Sequence, residues 1–352
     1  MSKYWNEITK NIEPYVPGEQ PQDKKYIKLN TNENPYGPSP LVYEAMKSAI
    51  NEDLKLYPDP ICKDLIKEIS DYYSIDEDQI FVGNGSDEVL AFAFKAFFSK
   101  EKKICFPDIS YSFYPVYAHI FDITAKTIEL DENFNIPLEK LKDNEYGIIL
   151  PNPNAPTSKY IDTEELKVLV EKNIDNVVII DEAYVDFGGE SMVKYINNYP
   201  NLLIIQTLSK SRSLAGLRVG FAMGNRELIE GINRVKNSIN SYTLDRIALA
   251  GAKAAFEDEA YFKMTRERII NTREWVIEAL KKLNFKVLES KANFIFISHE
   301  SKQAKYLYDT LKEEGILVRY FNKPKIDNYL RVTIGTDNEM KEFIKVLEKL
   351  LK

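Results

Sequence analysis

Short apolar runs alternate along this chain with stretches in which apolar residues recur every three to four positions. The runs include Ile80-Phe81-Val82, Ile104-Cys105-Phe106, residues 146–150, 177–180, 202–205 and 219–223. Runs this short and this apolar read as strands buried on both faces. Helical spacing covers Leu41 to Ile50 and Ile61 to Tyr73, and a third stretch opens at Asp87 with Val89, Leu90, Phe92, Ala93, Phe94, Phe97 and Phe98. Strands alternating with helices predict an α/β fold: a mostly parallel sheet with helices on both faces.

The text changes near Asn240. Helical patterns over Leu244 to Phe256 and Tyr261 to Leu283 lead into a βαβ-like tail. Its strands are expected over Phe285 to Leu288, Asn293 to Ile297, Ile316 to Arg319 and Leu330 to Ile334, with a helix over Gln303 to Glu314 and a final helix from Asn338. At 352 residues the chain exceeds what one core holds. The expected organisation is an N-terminal arm over 1–30 packing with the smaller domain, a large domain over 31–245 and a smaller α+β domain over 246–352. Pro14, Pro17, Gly18 and Pro21 make the arm read as extended.

Composition narrows the classes. The chain is 44% hydrophobic and 29% charged, and 54 acidic against 47 basic residues give a net charge of −7. That balance argues against nucleic acid as the partner. Two cysteines, Cys62 and Cys105, and two histidines, His119 and His299, have no ligand-like spacing, so neither a metal site nor a Ser-His-Asp triad is expected. With no apolar leader and no run of eighteen apolar residues, a cytoplasmic protein without membrane association is expected.

Lys210 ends the run Leu202 to Ile205 within Thr207-Leu208-Ser209-Lys210-Ser211-Arg212, and Arg218 follows. A lysine so placed suits an aldehyde cofactor held as a Schiff base, although a lysine among serines is by itself usually a surface turn. Gly83-Asn84-Gly85-Ser86-Asp87 follows a strand and opens a helix, where free N–H groups and the helix dipole attract an anion such as phosphate. A capped helix after a tight turn explains the same residues. The nicotinamide fingerprint G-x-G-x-x-G is incomplete, since Glu88 stands at its final position. Asp181-Glu182-Ala183-Tyr184 follows Val177 to Ile180. An acid at the carboxyl end of a buried parallel strand faces the crevice where α/β proteins bind ligands, and there it can keep a ring nitrogen protonated. Tyr184 could meet an oxygen of the same ring and Tyr111 could stack on it, although an acidic strand-end loop and a buried tyrosine explain the same residues.

In this order, the segments resemble the class I/II, fold-type I, pyridoxal-phosphate aminotransferases over nearly the whole chain. Leu29-Asn30-Thr31-Asn32-Glu33-Asn34-Pro35-Tyr36-Gly37, Leu56-Tyr57-Pro58-Asp59, residues 315–319 and residues 330–335 narrow the resemblance to the branch acting on histidinol phosphate. The resemblance implies a seven-stranded large domain plus a smaller α+β domain. It implies transfer of an amino group from histidinol phosphate to 2-oxoglutarate, in histidine biosynthesis, giving imidazole-acetol phosphate and glutamate. Lys210 would hold the cofactor and move the proton, with Asp181 on the ring nitrogen, Tyr184 on the ring oxygen and Tyr111 on the ring face. Gly85, Ser86, Asp87, Thr207, Ser209 and Arg218 would surround the cofactor phosphate. Tyr57 would reach the phosphate of a neighbouring subunit, which implies a homodimer with shared active sites. Asn34, Tyr36, Arg319 and Arg331 would bind the small amino- and oxo-acid substrates.

The chain departs from the family turn N-P-x-N-P-T-G. Ala155 stands where that turn has its second Asn, and Ser158 where it has its Gly. Either Asn154 or Asn152 takes over the bond to the ring oxygen, or that bond is absent; Asn154 is the candidate carried forward. The alternatives are an aromatic-amino-acid aminotransferase, a pyridoxal-phosphate enzyme acting on a phosphorylated amino acid, or a non-enzymatic effector-binding module of the same fold.

Overall fold

Both faces of the central strands are covered, and the side-chain alternation along them shows it. Ile148, Leu150, Val178, Ile180, Leu202 and Ile204 belong to one apolar cluster, while Ile149, Ile179, Leu203 and Ile205 belong to another. Successive strand residues point to opposite faces, so a strand without a polar member needs a hydrophobic layer on each side. In this computed structural model, which describes residues 3–13, 18–142 and 145–352, those layers are helices.

In chain order the strands are β1 (Ile27–Lys28), β2 (Ile80–Asn84), β3 (Ile104–Pro107), β4 (Ala125–Ile128), β5 (Gly147–Pro151), β6 (Val178–Asp181), β7 (Leu202–Thr207), β8 (Val219–Gly224), β9 (Phe285–Val287), β10 (Phe294–His299), β11 (Ile316–Leu317), β12 (Arg319–Tyr320) and β13 (Leu330–Thr333). Seven of them form one sheet in the order β2-β8-β7-β6-β5-β3-β4. Its strands β3 to β7 run parallel, and β8 runs antiparallel to both β7 and β2. The carboxyl ends of β5, β6 and β7 therefore lie along one edge, where Pro151 pairs with Asp181 and Asp181 with Ile205.

A second, antiparallel sheet has the order β12-β13-β10-β9. Ile295 and Ile297 of β10 and Val332 of β13 share a core with Ile269, Val276 and Leu280 of the 24-residue helix Glu259–Lys282. Phe343 and Leu347 of the last helix, Asp337–Leu351, complete it.

The N-terminal arm is not uniformly extended. Asn6 accepts from the Thr9 N–H at 2.8 Å and caps a short helix, Glu7–Asn11. Further on, β1 pairs in parallel with β11 in a two-stranded sheet of their own. Pro14 and Pro17 lie outside the described residues. Unexpected elements include the helices Phe113–Ile120 and Arg226–Ile239 and the edge strand β4. Three of the four residues of β4 are exposed, so it carries little of the apolar signal by which the other strands are recognised.

Candidate active site

Asp181 ends β6 inside the protein, 5% exposed. Its carboxylate accepts from the Tyr114 hydroxyl at 2.8 Å and from the Ala183 N–H at 3.2 Å. Burial raises its pKa from 3.8 to about 6, against the lowering effect of these two donors, and the nearby Asp87 charge raises it further. An acid held near its titration point in a dry site gains most from a cationic partner, as a protonated ring nitrogen would be. Tyr114 was not singled out in the sequence, although it lies one helical turn beyond Tyr111. Its own hydroxyl is pushed well above the ordinary tyrosine range, by burial first and by the Asp181 charge second.

An anion cradle lies beside this acid, where β2 runs into the helix Gly85–Phe97. Gly85 has φ +77°, and a Cβ there would sit 2.6 Å from Arg218 Nη2, so the position accepts only glycine without displacing the arginine. Gly220 pairs across the sheet with Gly83 on one side and Thr207 on the other, and a Cβ on it would meet the Ser86 nitrogen at 2.4 Å. These close approaches gather the helix N-terminus and Arg218 near the end of β7. There Thr207 Oγ1 donates to Ser209 Oγ at 3.0 Å. Asp87 orients the group: it accepts from Arg218 Nη2 at 2.8 Å and from the Tyr111 hydroxyl at 2.6 Å. Burial and the Asp87 charge together raise the Tyr111 pKa, so its phenol stays neutral.

Lys210 follows β7 on a loop held from several sides. Asn34 Nδ2 donates to the Lys210 and Ser211 carbonyls, both at 3.1 Å, and the Ser211 hydroxyl donates to Asp186. Arg212 is buried, with its guanidinium 4.1 Å from the Phe262 ring centroid, 4.3 Å from Phe256 and 4.9 Å from Tyr72. It also donates to the Ala255 carbonyl and lies 3.8 Å from Glu259. With its backbone fixed, Lys210 carries its ammonium 5.8 Å from the centre of the Tyr184 ring.

Lys210, Tyr184, Tyr111, Ala155, Arg319 and Arg331 all line one cleft of about 270 Å³. The two arginines are register partners on β12 and β13. Arg331 Nη2 donates to the Asn30 carbonyl at 2.8 Å, and both guanidinium groups lie 5.7 Å from the Phe321 ring centroid.

Other candidates sit elsewhere. Asn34 uses its amide on the lysine loop, and Tyr36 packs against the second core, its ring centroid 5.4 Å from the Arg268 guanidinium. Tyr57 is 77% exposed and stacks on Tyr242 with ring centroids 4.7 Å apart. Asn154 is buried: its amide donates to the Ile109 carbonyl at 3.0 Å and to Thr157 Oγ1 at 2.8 Å, and its Oδ1 has no partner among the described residues. Asn152 has both amide atoms on the Ile161 backbone, at 2.9 and 2.8 Å. The donor that does reach Tyr184 is Asn32 Nδ2, 3.0 Å from its hydroxyl. Asn32 lies within one of the motif segments, but nothing local in the sequence marks its reach across the fold.

The buried acid, the cradle that a Cβ would fill and the cleft-lining lysine together fit a phosphorylated, nitrogen-containing aldehyde. The sequence over residues 24–347 matches the family described as aminotransferase class I and II, and the chain belongs to it. Its members use pyridoxal 5'-phosphate, and so does this enzyme. The histidinol-phosphate aminotransferase of Clostridium beijerinckii is 64% identical over 351 residues, covering 100% of this chain and 98% of that one. That of Clostridium acetobutylicum is 60% identical, with 100% of both chains covered. Among solved structures, the histidinol-phosphate aminotransferase of Sinorhizobium meliloti in complex with pyridoxal-5'-phosphate superposes with TM-score 0.89 at 22% identity, covering 99% of each chain. A histidinol-phosphate aminotransferase from Clostridium acetobutylicum superposes with TM-score 0.85 at 27% identity, covering 92% of this chain and 99% of that one.

Proposed function

We propose that this aminotransferase moves the amino group of histidinol phosphate to 2-oxoglutarate, as a step of histidine biosynthesis. Identity of 64% to a histidinol-phosphate aminotransferase across the full chain carries this reading. The paired Arg319 and Arg331 supply the chemistry for it, because a planar guanidinium matches phosphate or carboxylate with two parallel hydrogen bonds.

Pyridoxal phosphate, once bound, supplies a ring that withdraws electrons from the substrate Cα. The chain's residues do the rest. Gly85, Ser86, Thr207, Ser209 and Arg218 would hold the phosphate, with Asp87 orienting Arg218 and Tyr111. Asp181 would keep the ring nitrogen protonated, Tyr184 would donate to the ring oxygen, and Tyr111 would pack against the ring. Lys210 would hold the aldehyde and serve as the base and acid for the substrate Cα proton. Arg319 and Arg331 would grip the anionic ends of the substrates and orient the Cα–H bond for that transfer.

The working unit of the proposal is a homodimer in the cytoplasm. Tyr43, Leu54, Leu56, Tyr57, Ile61 and Tyr242 are exposed on neighbouring stretches of chain, a set of large apolar groups that a second subunit would cover. In this arrangement Tyr57 reaches the partner's cofactor phosphate. The free thiols of Cys62 and Cys105 support a reducing compartment. The division into an arm over 1–30, a large domain over 31–245 and a small domain over 246–352 belongs to the same proposal.

A half-reaction screen tests the substrate. Mixing the yellow holoenzyme with histidinol phosphate, phenylalanine or threonine phosphate should bleach the visible band fastest with histidinol phosphate. Preference for phenylalanine would make it an aromatic aminotransferase, and no bleaching by any amine would make it a binding module.

A further inference from the structure

We infer that Asn32 is a positioning residue that polarises the Tyr184 phenol, taking the place in this chain of an amide at position 155. Asn32 is 1% exposed, lines the cleft and sits at φ +57°, a left-handed conformation that asparagine tolerates better than most residues. Each of its polar groups is assigned. Its N–H donates to Thr333 Oγ1 at 2.9 Å, its side-chain oxygen accepts from the same hydroxyl at 3.1 Å, and its carbonyl accepts from Asn293 Nδ2 at 2.9 Å. These contacts leave the amide nitrogen aimed at the Tyr184 oxygen, 3.0 Å away.

The direction of that bond matters. A phenol has one hydrogen to give, and Asn32 fills the accepting side of its oxygen, so the Tyr184 hydrogen is left for another acceptor. Hydrogen bonds in such a chain strengthen one another, which makes Tyr184 a better donor. Ala155 packs against the same ring and offers no donor. Phe294 holds the ring edge-to-face, with centroids 5.0 Å apart. The charged groups around Tyr184 are Lys210, 5.8 Å from its ring centroid, and Arg331, beyond Phe294 at 5.5 Å from that ring. The titratable Tyr111 is coupled to it electrostatically. Because Thr333 and Asn293 belong to the second sheet and its approach, Asn32 makes the Tyr184 hydrogen bond depend on how that sheet is seated. The inference rests on Tyr184 meeting the ring oxygen of the cofactor, as proposed above.

A donor on the ring oxygen takes up part of its negative charge and so loosens the proton held at the lysine-linked end. Weakening that donor should move the pH titration of the holoenzyme's visible band upward. Asn32→Gly keeps the backbone conformation and loses the amide donor. It should shift the titration up by about 0.5 to 1 in pH, the worth of one neutral hydrogen bond. Tyr184→Phe should shift it further, and Asn32→Gly combined with Tyr184→Phe no further than Tyr184→Phe alone, since the two act through one hydrogen. In the apoprotein the Tyr184 ring signals, followed by NMR, should move in Asn32→Gly relative to wild type, because the amide donor on the hydroxyl is gone. An Asn32→Gly variant that leaves the band unmoved while Tyr184→Phe shifts it, or additive shifts in the double variant, overturn the relay alone. If Tyr184→Phe itself has no effect, the placement of Tyr184 on the ring oxygen fails and the relay falls with it.

Discussion

The Tyr114 hydroxyl donates to the Asp181 carboxylate at 2.8 Å, and neither residue is more than 5% exposed. The pair places a charge at the end of a buried strand with a neutral donor as its company. Without a cation to face, that acid is held at the expense of stability.

The pH dependence of the apoprotein should show it. The folded pKa of Asp181, about 6, lies above its ordinary 3.8, so the protonated form is the one folding favours. The associated stability is fully present below pH 3.8 and is lost as pH rises to about 6, by about 3 kcal/mol. Buried Glu182, raised from 4.5 to about 7 by burial, acts in the same direction over a slightly higher window. Apo Asp181→Asn should therefore gain in thermal midpoint over apo wild type as pH goes from 4 to 7, while binding cofactor far more weakly. Equal pH slopes in the two apoproteins would refute this.

Gly85→Ala should damage the cofactor site more than the fold. Alanine would resist the left-handed backbone at this position and its methyl would need space held by Arg218, a cost of about 1–3 kcal/mol. Cofactor affinity, measured by equilibrium dialysis, should fall about tenfold or more, with a thermal shift of only a few degrees in the apoprotein.

Arg212 should prove to be a stability residue next to the catalytic lysine. Its guanidinium meets three rings and a carbonyl out of reach of water, where such contacts are worth most. Arg212→Ala should lose about 3 kcal/mol by urea unfolding, and Arg212→Met, which keeps the packing volume, clearly less. Equal losses would mean that charge rather than packing holds the loop.

Arg331→Lys keeps the charge and removes the fork. The expected result is a KM for histidinol phosphate raised about tenfold to a hundredfold with kcat changed much less, the signature of lost ground-state binding. A variant that lowers kcat and leaves KM alone would limit Arg331 to orienting the Cα–H bond and remove it from ground-state binding.

The helices and strands of the sheet were legible where apolar residues were dense. The runs ending at Leu150, Ile180 and Ile205 fall in β5, β6 and β7, because a strand buried on both faces is apolar through its middle and carries its polar residues only at its end. The edge strand β4 and the helix Arg226–Ile239 were not singled out. An exposed strand carries little hydrophobic signal, whereas the helix does carry one, with Leu228, Ile229, Ile232, Val235 and Ile239 at helical spacing.

Local chemistry decided the lysine after a strand, the glycine-opened helix and the acid at a strand end, since each follows from residues within one short segment. Which partners those groups face is set by distance in space, and only the folded chain brings Tyr114 to Asp181, Asn34 to the lysine loop and Asn32 to Tyr184. Hydrogen bonds between residues 67, 176 and 152 positions apart leave no periodic trace along a sequence. They are selected by how distant segments of the chain pack together, and packing is a property of the whole.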